Sequence, residues 1–71
     1  MNATNELNSA IQFALALAQS IHAAGPEGIP SGHLYAVVMG KCDLAYYEGA
    51  IRLLVNQGIV RKDGQRLYSL V

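Results

Sequence analysis

Residues 29–71 read IPSGHLYAVVMGKCDLAYYEGAIRLLVNQGIVRKDGQRLYSLV. Their caps, apolar spacings and glycines follow the order of a helix, a tight turn, a second helix and a short hairpin. Ser31 is placed to cap a helix over 31–40, with Leu34, Val37 and Val38 on its apolar face and Gly40 as its stop. Gly40, Lys41 and Cys42 make the turn. Asp43 then caps a helix over 43–57 that closes on Gly58, with Tyr47, Ala50, Ile51, Leu54 and Val55 facing inward. Ala45, Tyr46, Glu48, Gly49, Arg52 and Asn56 are left pointing outward. Within 59–70, the runs 59–62 and 65–70 form a hairpin joined at Asp63-Gly64, a dipeptide that supplies the positive φ a two-residue turn requires. The last strand alternates Arg66, Tyr68 and Leu70 with Leu67 and Ser69, so its two faces differ.

Upstream, residues 4–24 have the composition of a long first helix, rich in Ala and Leu, which lose little side-chain freedom in that conformation. Thr4 or Asn5 caps it, Glu6 lies where the helix dipole favours an anion, and Gly25-Pro26 ends it. Leu7, Ala10, Ile11, Ala14, Leu17, Ala18 and Ile21 recur at spacings of three and four and form a core-facing stripe. Phe13, Leu15 and Ala16 fall outside it. An apolar surface wider than one core requires is explained either by a homodimer through this helix, with Phe13 in the interface, or by tolerated exposure of scattered apolar residues. Residues 26–30, PEGIP, read as a linker between helical units within one domain spanning 1–71.

A chain of 71 residues buries only about 60% of its unfolded surface, so any partner surface matters to its stability. Its apolar fraction of 52% against 14% charged residues is high for one small core. Five basic and five acidic residues leave zero net charge, which counts against strong non-specific nucleic-acid binding but permits a local basic patch. Cys42 is the only cysteine, so there is no disulfide framework and no CxxC metal site, and a reducing, cytoplasmic compartment is expected. The apolar run at 10–18 is broken by Gln12 and too short to span a bilayer, and the first residues lack the basic start of a secretory signal. No membrane association is expected.

Leu34-Tyr35-Ala36, the segment Leu53-Leu54-Val55-Asn56-Gln57-Gly58-Ile59-Val60, the charged tip Arg61-Lys62-Asp63-Gly64 and the Tyr68, Leu70 strand carry a wider likeness. On these residues the chain resembles the winged helix-turn-helix superfamily, seen in many small bacterial and phage regulators, over roughly residues 29–71. The resemblance implies a mainly α fold with a C-terminal β-hairpin, a three-helix winged helix-turn-helix, and a DNA-binding transcriptional regulator acting as a homodimer. In that family the helix after the turn enters the major groove while the hairpin, or wing, lies along phosphates or the minor groove. The base-facing positions then become Ala45, Tyr46, Glu48, Gly49 and Arg52, among which Arg52 is the strong donor and Glu48 repels phosphates. Arg61, Lys62, Gln65 and Arg66 become the wing contacts to double-stranded DNA. Charges on a two-stranded edge also serve simply to keep that edge from pairing with other chains.

A second class of function rests on the aromatic residues. Tyr46 and Tyr47 are adjacent on a helix, about 100° apart, so only one of them faces the core. With Tyr47 inward, Tyr46 beside Gly49 makes a smooth amphipathic surface suited to a protein partner. A winged-helix interaction module, using Tyr46, Gly49 and the spare apolar face around Phe13, is therefore the alternative to DNA binding.

Other chemistries have little support. His22 and His33 have no Cys, Asp or Glu at metal-ligand spacing, and His22 is expected at the terminal carbonyls of the first helix. Cys42 has no neighbouring general base, Ser31 reads as a cap, and the seven glycines form no phosphate-binding loop. No catalytic residue, metal, cofactor or small-molecule substrate is expected.

Overall fold

A computed structural model describes residues 3–71, with side chains from residue 8 onward. The roles expected of the Thr4, Asn5, Glu6 and Leu7 side chains lie outside the described residues. The elements are α1 (Ala3–Ala23), β1 (Ile29–Pro30), α2 (Ser31–Val38), α3 (Leu44–Asn56), β2 (Val60–Asp63) and β3 (Arg66–Ser69). Three helices therefore pack with a small antiparallel sheet of three strands, in the order β1-β3-β2. No described helix is long and apolar enough to cross a membrane.

The core lies where α1, α3 and the sheet meet, and Leu17, Ile21, Leu34, Tyr47, Leu54, Val60 and Leu67 are its fully buried side chains. From α1 it takes Ala14, Leu17, Ala18 and Ile21, as the spacing predicts, but Ile11 is 40% exposed. Each helical residue advances about 1.5 Å, so Ile11 lies most of a turn beyond the last buried position, Ala14, where the body no longer covers the helix. Phe13 departs the other way. It is half-buried and packs against the core, although it falls outside the expected stripe.

Residues 26–30 are more than a linker. Gly25 and Gly28, both at positive φ, turn the chain so that Ile29 pairs with Leu67 and Pro30 with Arg66. Ser31 N–H then donates to the Gln65 carbonyl. Proline is tolerated because β1 is an edge strand, where its missing N–H interrupts no ladder. The C-terminal hairpin expected from sequence is thus two strands of a three-stranded sheet.

In α2 the N-cap is Pro30, without a side-chain hydrogen bond, and the helix ends at Val38. Ser31 is not the cap: its hydroxyl lies 3.0 Å from the Tyr47 hydroxyl. Val37, expected to face inward, is 75% exposed. The cause is Tyr35, whose ring lies 5.1 Å from that of Tyr47. This contact turns the buried side of α2 towards Leu34, Tyr35 and Val38, and rotates Val37 away.

The reading of α3 is met more closely. Asp43 Oδ1 accepts from Tyr46 N–H at 2.8 Å, and Tyr47, Ala50, Ile51 and Leu54 are buried, while Val55 stays at the exposed margin. Gly58, at φ 74°, closes the helix, with Gly58 N–H donating to the Val55 carbonyl and Ile59 N–H to the Leu54 carbonyl. Those two bonds form a Schellman motif.

The hairpin turn is displaced by one residue from the expected Asp63-Gly64. Asp63 pairs with Arg66, leaving Gly64 and Gln65 as the turn residues, with Gly64 at φ 62° and no described non-glycine residue at positive φ. A glycine-first turn demands positive φ of one residue only. A turn centred on Asp63-Gly64 asks it of aspartate as well.

Candidate nucleic-acid interface

The inward face of α3 determines where its functional side chains point. With Tyr47, Ile51 and Leu54 packed into the core, Glu48, Arg52 and Val55 follow along one flank at spacings of four and three. The hairpin supplies the opposite wall. Lys62 pairs with the fully buried Leu67 across the ladder, so it shares the core-facing side of the sheet, whereas Arg61 pairs with Tyr68 on the outer side. A cleft of about 380 Å³ results, lined by Glu48, Arg52, Lys62 and Gln65 over a floor of Tyr47 and Ile51.

The residues expected to contact DNA therefore divide between two faces. Arg52, Lys62 and Gln65 converge on the cleft. Arg61 and Arg66 are engaged on the outer face. The Arg61 guanidinium stands 4.3 Å above the Tyr68 ring, and its Nη1 is 3.6 Å from Asp63, the only ion pair among the described residues. Arg66 Nη1 donates to the Glu27 carbonyl at 3.0 Å, which ties the hairpin to the loop after α1. Glu48 is the acid within the cleft, so Arg52 and Lys62 leave that wall with one surplus positive charge.

At the base of the cleft lies a network that sequence reasoning missed. Tyr47 Oη donates to the Ser31 carbonyl at 3.0 Å, which leaves the Ser31 hydroxyl to donate to Tyr47 Oη. Burial raises the Tyr47 pKa above its ordinary 10.0; the Ser31 hydrogen bond opposes this, and the charges of Cys42 and Glu48 add to it. The hydroxyl stays protonated and holds α3 to the start of α2. Sequence indicated an inward Tyr47, but not its partner sixteen residues away.

The expected protein-contact residues lie elsewhere. The Phe13 and Tyr46 rings are 5.3 Å apart and, with Lys41, Cys42 and Asp43, line a hollow of about 410 Å³ beside the α2–α3 turn. Tyr46 is 46% exposed, and Gly49 opens onto empty space. Phe13 thus has a partner within its own chain.

His22 lies in the last turn of α1 as expected, but its ring, expected at the terminal carbonyls, has Nδ1 3.2 Å from Ser69 Oγ. No acidic side chain accompanies this pair among the hydrogen bonds of the described residues, and no group of three or more potential metal ligands occurs there. The Cys42 thiol donates to the Val38 carbonyl at 3.7 Å, a local contact closing the turn. Comparison of the chain with protein-family models, with curated proteins and with solved structures finds no match.

Proposed function

We propose that this chain is a small DNA-binding regulator of the winged helix-turn-helix kind. In this reading α2 and α3 are the helix-turn-helix and the β2–β3 hairpin is the wing. Arg52 reaches a base edge or phosphate from α3, Lys62 neutralises a phosphate, and the Gln65 amide donates beside it. The observation that carries the proposal is the convergence of Arg52 and Lys62, from separate elements, on one open cleft wall. Neither has an ion-pair partner among the described residues. Such a protein works in the cytoplasm, on the chromosome or on phage DNA.

A mobility-shift titration against a random-sequence duplex pool tests this. Two phosphate contacts per chain give a log-log salt slope of about −2 per chain, at roughly −0.9 per contact. Lys62→Ala should flatten the slope by about 1 and weaken all sequences alike, while Arg52→Ala relaxes selectivity at a cost of about 1–3 kcal/mol. Arg61→Ala, acting on a side chain held over Tyr68, should change binding less than either. Absence of any retarded band at low salt ends this reading.

A protein-binding module is the second reading, favoured by the exposed Tyr46 beside Gly49 and by the zero net charge. A stoichiometric protein captured by the wild type and lost on Tyr46→Ala, with no DNA shift, would establish it instead.

A further inference from the structure

Glu48 is an acid for which the fold itself has no use. It is exposed and lines the cleft with Arg52 and Lys62, and no ion pair engages it among the described residues. Other acids of this half of the chain hold structural posts. Asp43 caps α3 by accepting from Tyr46 N–H at 2.8 Å, and Asp63 pairs with Arg61 across 3.6 Å. Glu48 stands past the first turn of α3, beyond the stretch where the helix dipole favours an anion.

Glu48 and Arg52 are four residues apart with the acid nearer the helix start, the spacing and order that favour an ion pair on a helix surface. They form none, and both line the cleft instead. A carboxylate left free there repels the phosphates that Lys62 attracts, so it weakens binding to every DNA sequence unless a base offers it a donor. In the major groove, donor amino groups occur only at cytosine N4 and adenine N6. On adenine the amino group stands beside the N7 acceptor, which repels a carboxylate, whereas cytosine presents its amino group alone. Guanine and thymine present the acceptors O6, N7 and O4.

We infer, resting on the reading of the cleft as a DNA site, that Glu48 is a specificity-determining residue. Its carboxylate accepts from a cytosine N4 amino group while Arg52 donates to O6 and N7 of a guanine. Four residues advance about 6 Å along a helix, and bases on one strand are about 3.4 Å apart, so the two bases lie one or two steps from each other. The sequence read by α3 therefore holds a cytosine and a guanine within a few consecutive base pairs. Glu48 selects by exclusion as well as attraction: thymine in the cytosine position sets its O4 against the carboxylate, and the charge that binds one base rejects the other.

Selection of bound duplexes from a random-sequence pool, followed by mobility shifts of single-pair variants at fixed salt, tests the inference with the wild type and Glu48→Gln. The pool retained by the wild type should carry a cytosine at a fixed position, one or two steps from a guanine whose enrichment disappears with Arg52→Ala. Replacing that C·G pair by T·A should weaken wild-type binding about tenfold or more, but Glu48→Gln binding by about threefold or less. Glu48→Gln keeps the side-chain shape on an exposed site, and circular dichroism checks that its helices are intact. A retained pool without cytosine preference would overturn the inference and leave DNA binding standing. So would a Glu48→Gln protein that binds every sequence more tightly with its preference unchanged, since Glu48 then only repels phosphates. Absence of any retarded band overturns both the inference and the reading it rests on.

Discussion

Tyr47 is the residue on which most of the structure converges, since one side chain packs against Tyr35, fills the core and joins α3 to Ser31. Tyr47→Phe keeps the ring and removes the hydroxyl, leaving the Ser31 carbonyl and hydroxyl without that partner. The expected loss is about 1–2 kcal/mol by chemical denaturation. The hydroxyl also makes stability depend on pH. Because the folded-state pKa is raised above 10.0, the folded protein holds this proton more tightly than the unfolded chain. Its contribution is complete below pH 10.0 and declines as the pH rises through the folded value. Alkaline titration of thermal stability should therefore fall less steeply for Tyr47→Phe than for the wild type. Sequence spacing was enough to turn Tyr47 inward, because helical period alone decides which of two adjacent tyrosines faces the core. The Ser31 partner was hidden, because Ser31 just before a helical run also has the chemistry of a cap.

Among the elements, β1 shows most clearly how a tertiary contact creates structure that local preference does not demand. A two-residue strand containing proline has no signature of its own, and it exists because β3 presents an unpaired edge to it. Gly28 makes that approach possible. It holds φ 72°, and a Cβ there would collide with the Leu67 carbonyl oxygen and lie 2.8 Å from Tyr68 Cδ1. Gly28→Ala should cost about 2–3 kcal/mol, measured by urea denaturation, through combined backbone strain and steric overlap. Gly25, also at positive φ but with no atom within 4 Å of a Cβ, serves as the comparison, and Gly25→Ala should be milder. The hairpin illustrates the same dependence at its turn. Both Asp63-Gly64 and Gly64-Gln65 are acceptable turn dipeptides locally, and pairing of Asp63 with Arg66 selects the second. That one-residue choice sets which hairpin residues stand directly opposite, placing Lys62 across from Leu67 and Arg61 across from Tyr68.

For the whole molecule, a small core shared by three helices and three short strands makes stability rest on contacts between residues far apart in the chain. The three helices, the Asp43 cap, the Gly58 stop and the presence of a terminal hairpin were legible in the order of residues, because helical period, capping and turn chemistry act over a few neighbours. The third strand, the exposure of Val37, the hydroxyl partner of Tyr47 and the Phe13–Tyr46 contact were not. Each depends on residues far apart in the chain meeting in one packing arrangement. The candidate site divides along the same line. The identities of its cations could be read directly, but only the packing of the sheet against α3 and the rotation of α3 decided that Arg52, Lys62 and Gln65 share a cleft while Arg61 and Arg66 lie on the other side. A side chain's direction follows from what its neighbours bury, and burial belongs to the folded whole.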